Sequence, residues 1–107
     1  MIGFLRGIVH SVREDSCLLD VNGVGYAVLM STRNLSELKK DKTVFLYTYM
    51  IVREDAMLLC GFLQAQEYEL FVKLIGISGI GAKAALGALS GTTPEGFIAA
   101  VQTKDLK

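Results

Sequence analysis

Near Phe62 the spacing of apolar residues changes from that of strands to that of helices, and this change constrains the fold more than any other feature of the chain. Before it, short runs rich in β-branched residues are separated by polar breaks and a tight-turn pair. In residues 2–12, Ile2, Phe4, Ile8 and Val12 are expected to share one strand face. Glu14-Asp15-Ser16 breaks that run, and residues 17–21 form the next. Asn22-Gly23 marks a hairpin turn, because both residues tolerate positive φ. Val24, Tyr26, Val28 and Met30 line one face of a third strand. Residues 31–41 are polar and predict a short helical turn around Leu35 and Leu38. Residues 44–52 form a long strand that is apolar on both faces, Arg53-Glu54-Asp55 interrupts, and residues 56–62 return as a fifth strand. Such a series of short strands predicts a small closed or partly closed barrel. The doubly apolar fourth strand predicts that one face fills the barrel and the other meets something else, for which self-association is one candidate.

Beyond Phe62, residues Glu67, Phe71, Leu74 and Ile75 recur at helical spacing within 64–75. Residues 82–89 predict a second, alanine-rich helix with Gly91 as its stop. Thr93-Pro94 is a helix-start pair, followed by an apolar stripe of Phe97, Ile98 and Val101. The expected organisation is a five-stranded barrel over residues 1–63 and a helical domain over 64–107.

The segment between the two helices, Gly76-Ile77-Ser78-Gly79-Ile80-Gly81, has the pattern of a helix-hairpin-helix. Gly79 and Gly81 permit a tight turn and a close approach of ligand to backbone. Ile77 and Ile80 are expected to point inward and pin the turn, and the small Ala85 lets the helices cross closely. The amides of Gly79, Gly81 and Ala82 would then lie open at a helix N-terminus, which is a site for phosphate. The predicted phosphate-binding set is Gly79, Ile80, Gly81, Ala82 and Lys83, with Lys83 as its one cation. A dinucleotide-binding reading of these glycines fails, because they follow a helix rather than a strand.

Net charge is zero, with seven basic and seven acidic residues in 1–63 and four of each in 64–107. Proteins that hold nucleic acid by bulk charge are basic. This chain must therefore work through local geometry or through several copies at once, if it binds nucleic acid. A phosphate grip of this kind reads no bases. At 51% hydrophobic residues the chain can build a real core, which excludes disorder. No apolar run has the roughly 20 residues of a membrane-spanning helix, and the N-terminal residues lack the apolar stretch of a signal peptide. Cys17 and Cys60 sit in apolar runs without metal-ligand spacing and read as buried, reduced thiols of a cytoplasmic protein. His10 reads as structural. No catalytic set, metal site or cofactor motif is present in the pattern of residues.

The chain resembles the RuvA family of Holliday-junction-binding subunits. The resemblance is carried by Met1-Ile2-Gly3 with Leu5-Arg6-Gly7, by Val21-Asn22-Gly23-Val24-Gly25-Tyr26 and by Val52-Arg53-Glu54-Asp55-Ala56. Leu58-Leu59-Cys60-Gly61-Phe62, the segment through Lys83 and Ala88-Leu89-Ser90-Gly91 complete it, in the family's order. The resemblance implies an OB-fold barrel, a helix-hairpin-helix domain and a homotetramer that holds an open four-way DNA junction. It implies that Glu54 and Asp55 form an acidic pin at the junction centre. It also implies a RuvB motor ATPase as partner, a RuvC resolvase as a second one in the full-length protein, and a role in recombination, repair and the SOS response. Arg53 either offsets the pin's charge or contacts DNA. The chain stops at Lys107, before the family's second helix-hairpin-helix would arrive, and so reads as an N-terminal fragment without that motif or the motor-docking domain.

Without the resemblance, Glu54-Asp55 reads as an ordinary solvated turn. Three alternatives stand beside junction binding: a general duplex binder, an interaction module that binds no nucleic acid, and a glycosylase using Lys83 with Asp105. The barrel is wrong for the glycosylase, and there is no room for a flipped base.

Overall fold

Alternation along short strands and one tight turn build the first half of the molecule. The computed structural model describes residues 2–91. The expected helix start at Thr93-Pro94, the stripe of Phe97, Ile98 and Val101, and Asp105 lie outside them. The elements are β1 (Phe4–Val12), β2 (Ser16–Val21), β3 (Val24–Leu29), α1 (Thr32–Glu37), β4 (Thr43–Val52), β5 (Met57–Phe62), α2 (Ala65–Ile75) and α3 (Ala82–Ser90). Asn22 and Gly23 both adopt positive φ, 54° and 89°, and turn β2 into β3. The amide of Gly23 donates to Asp20 Oδ1 at 2.8 Å, which fixes that turn.

The strands close into a barrel in the order β1-β2-β3-β5-β4. All neighbours are antiparallel except β3 and β5, which meet in parallel at Leu29 and Cys60. Leu5, Val9, Cys17, Leu19, Val28, Met30, Leu46 and Leu59 fill the interior, joined by Leu35 from α1. Each such side chain, once buried, contributes roughly 1.5–3 kcal/mol. Burial pushes both thiols up to about 11, so Cys17 and Cys60 stay protonated at neutral pH. Neither is in a disulfide.

The expected face of β1 needs correction. Phe4 and Ile8 are 59% and 46% exposed, and Val12 is exposed too, so the richer apolar set points outward. Leu5 and Val9 point inward, with Gly7 between them. A Cβ on Gly7 would lie 2.5 Å from the Asp20 carbonyl oxygen, so only glycine lets β1 coil this tightly against β2. The pairing register slips between Val9 and Ser11, just beyond that coil. On the outer face Phe4 stacks on Phe45 with centroids 5.2 Å apart, and Arg6 lies 5.4 Å over the Phe45 ring. His10 is exposed on the same strand.

The second apolar face of β4 is covered from within the chain. Tyr47, Tyr49 and Ile51, with Cys60 and Phe62 of β5, pack under Phe71, Leu74, Ala82, Ala85, Leu86 and Leu89 of α2 and α3. Phe71 sits 4.9 Å from Phe62 and 5.9 Å from Tyr49, ring to ring. α2 starts with a capping box between Gln64 and Glu67. Glu67 is buried, although it lies on the helix's apolar stripe. Its Oε1 accepts from the Gln64 amide at 3.1 Å and from Asn34 Nδ2 at 3.2 Å, which offsets its desolvation and ties α2 to α1. At the far end, Ser90 Oγ accepts from the Thr32 amide at 2.8 Å and donates to the Leu86 carbonyl, fastening α3 to α1.

Candidate nucleic-acid interface

Strand length places the Arg53-Glu54-Asp55 turn. β1 accompanies β4 only as far as Tyr47, and β3 meets β5 at Cys60. The β4–β5 ladder continues past both limits through Met50–Leu59 and Ile51–Leu58 to Val52–Met57. The hairpin thus leaves the barrel as a two-stranded arm. Its root is braced on one face by Tyr49 and Ile51 against the helices. At its tip the Arg53 amide donates to the Ala56 carbonyl at 2.8 Å and closes the turn. Arg53, Glu54 and Asp55 are all exposed, so both carboxylates are held away from the barrel in water. Among the described residues, no group of three His, Cys, Asp or Glu gathers in one place.

The second expected feature lies between α2 and α3. Gly76 ends α2, and the Ile77 amide donates to the Leu74 carbonyl. Gly79 takes φ +90°, which an L side chain rarely adopts. Gly81, at φ −95°, is the N-cap of α3 and needs no glycine for its backbone angle. Among the described residues, the amides of Gly79, Gly81 and Ala82 meet no acceptor. They lie where the positive end of the α3 dipole opens. Gly76 to Gly79, Gly81 and Lys83 are exposed, so an anion can reach them. Ala85 is buried between the helices, as its size allows.

Of the two expected pins only Ile80 faces the core. Ile77 is 47% exposed, which corrects the inward placement. It lies in the turn right after Gly76, outside the cluster that Phe71 and Leu74 of α2 form with α3 and the barrel. Ala82 is also buried, so it can offer an approaching ligand its amide but not its side chain. Among the described residues no hydrogen bond joins the glycine turn to the arm, so the two are separate surfaces of one scaffold. The length of the arm went unread in the sequence. That length depends on where β1 and β3 stop pairing with β4 and β5, which no run of neighbouring residues shows.

No helix among the described residues is long and apolar enough to cross a membrane. Residues 1–61 match the family described as RuvA N terminal domain. Over nearly its whole length the chain is similar to proteins named Holliday junction branch migration complex subunit RuvA. The one from Alkaliphilus oremlandii is 38% identical over 106 residues, covering 99% of this chain and 55% of that protein. The one from Shewanella putrefaciens is 44% identical, covering 99% of this chain and 52% of that protein. The one from Bifidobacterium longum is 44% identical, covering 98% and 50%. The chain therefore spans about half the length of the curated relatives it matches. Barrel and sequence agree on one conclusion: this chain belongs to the RuvA family, whose N-terminal domain is an OB-fold.

Proposed function

We propose that the chain binds four-way DNA junctions, without reading sequence, as the junction-holding part of a branch-migration complex. The observation that carries this reading is the acidic turn displayed at the end of an arm, on the same scaffold as an open helix N-terminus. The names of the relatives supply the substrate and the complex. In this reading residues 1–63 are the OB-fold domain, and residues 64–107 begin a helix-hairpin-helix domain. The backbone of Gly79, Ile80, Gly81 and Ala82, with Lys83, holds one phosphate of a duplex arm. Four copies surround the junction, and their arms bring eight carboxylates of Glu54 and Asp55 to its centre.

The electrostatic consequence is repulsion rather than attachment. A carboxylate about 7 Å from a phosphate costs about 0.6 kcal/mol in water before screening. That is small for one pair, but many such pairs fall within the Debye length of roughly 10 Å at 0.1 M salt. Their sum opposes collapse of the arms into stacked duplexes and keeps the crossover open. Arg53 lies beside the pin, where it can reach a strand or temper its neighbours' charge. The chain does no chemistry of its own: ATP hydrolysis belongs to a RuvB motor and strand cleavage to a RuvC resolvase, both acting on the junction it presents.

Glu54→Gln with Asp55→Asn tests the pin. Both residues are exposed, so stability should change by less than about 0.5 kcal/mol. Fluorescence transfer between labelled arm ends should shift from the open toward the stacked geometry at saturating protein. Arm geometry identical to wild type, with binding intact, would refute repulsion as the function of the pin.

A further inference from the structure

The arm carries more than charge. Val52 and Met57 are its last pair, directly opposite one another and therefore on the same face. That face continues the barrel interior: Leu46, Met50 and Leu59 on it belong to the core. Past the mouth of the barrel no wall among the described residues opposes it, and Val52 is left 60% exposed and Met57 67% exposed. Two large apolar side chains thus stand in water immediately behind the two carboxylates of the turn.

We propose that Val52 and Met57 form an apolar wedge that packs on the face of a base pair bordering the crossover. This rests on the junction-binding reading. The choice of occupant follows from charge. Glu54 and Asp55, beside the wedge, turn phosphates away, so the sugar-phosphate backbone cannot cover it. Groove edges are polar and would leave the apolar surface unsatisfied. An open crossover has one apolar element to offer, the flat face of a base pair that has lost its stacking neighbour. Apolar side chains are used in this way where proteins part base steps. Met57, unbranched and polarisable, adapts to any base, as binding without sequence preference requires. The carboxylates would hold the backbones apart while the wedge supplies the contact that the opened base pair has lost.

Val52→Thr with Met57→Gln removes the apolar surface at two exposed positions and leaves the pin intact. The probe is a synthetic four-way junction with aminopurine at the crossover, compared with the same label well inside one arm. Wild type should raise the crossover fluorescence as the base leaves its neighbour, and leave the arm label unchanged. The double variant should lose that rise and bind the junction about tenfold more weakly, with duplex affinity unaltered. An unchanged rise with unchanged affinity overturns the wedge. A fall in molar mass of the DNA-free protein on substitution also overturns it, because the pair would then join one copy to another. If wild type itself prefers no junction over duplex, the junction-binding reading fails instead.

Discussion

Phe71→Ala should lower the thermal midpoint by at least about 12 °C, because it empties the site where the helices dock on the barrel. Phe71 is fully buried, 4.9 Å from the Phe62 ring and 5.9 Å from that of Tyr49. Truncating a buried phenylalanine costs about 3–5 kcal/mol. A domain of this size has about 5–15 kcal/mol in total, so the loss is a large share. Each kcal/mol moves the midpoint by roughly 4–8 °C in a chain near 100 residues. Ile77→Ala is the contrasting variant. Ile77 is 47% exposed, and its loss should cost less than about 0.5 kcal/mol. Melting curves followed by circular dichroism read both. Two equally large shifts would mean that Ile77 pins the turn after all, and two equally small ones that the helices do not rely on Phe71.

Gly79→Val should reduce affinity for junction and duplex alike, by at least about tenfold in each, because in the proposed function the turn holds phosphate and reads neither sequence nor branching. Two effects combine at this position. A side chain at φ +90° costs about 1–3 kcal/mol of strain, and its methyl groups occupy the path by which a phosphate reaches the amides. Gly81→Ala separates these effects. Its backbone angle suits any residue, and a Cβ there meets nothing within 4 Å, so folding should be unchanged. Any binding that Gly81→Ala removes is then due to the blocked approach alone. Duplex affinity measured by fluorescence anisotropy decides. Wild-type affinity in both variants would place the phosphate contact elsewhere.

Features set by neighbouring residues were legible in the sequence. Asn22-Gly23 declares its turn through the φ angles it tolerates, and Gly91 sits at the C-cap of α3 as expected. The barrel follows from strand count, and the second apolar face of β4 correctly implied a cover, which is the chain's own helices rather than a second copy. Features set by distant residues were not legible. Nothing near Phe4 and Ile8 reveals that Gly7 must coil against Asp20 and so turn Leu5 and Val9 inward. Glu67 shares the stripe of Phe71, but only the fold supplies the Asn34 amide that lets a carboxylate be buried there. Ile77 follows the helix-hairpin-helix pattern but stays 47% exposed. In the candidate site, the resemblance pointed to Glu54 and Asp55, and the fold puts both at an exposed turn. Their reach was not legible, because it depends on where β1 and β3 stop pairing.

In the proposed function, selectivity comes from shape held by several copies rather than from charge on one. Titrating the protein against a four-way junction and a duplex of equal length, at one salt concentration and with molar mass recorded, tests it directly. Binding to the junction should be at least about tenfold tighter, with several copies on each. Equal affinity for the two DNAs, or a single copy per junction at saturation, would contradict it.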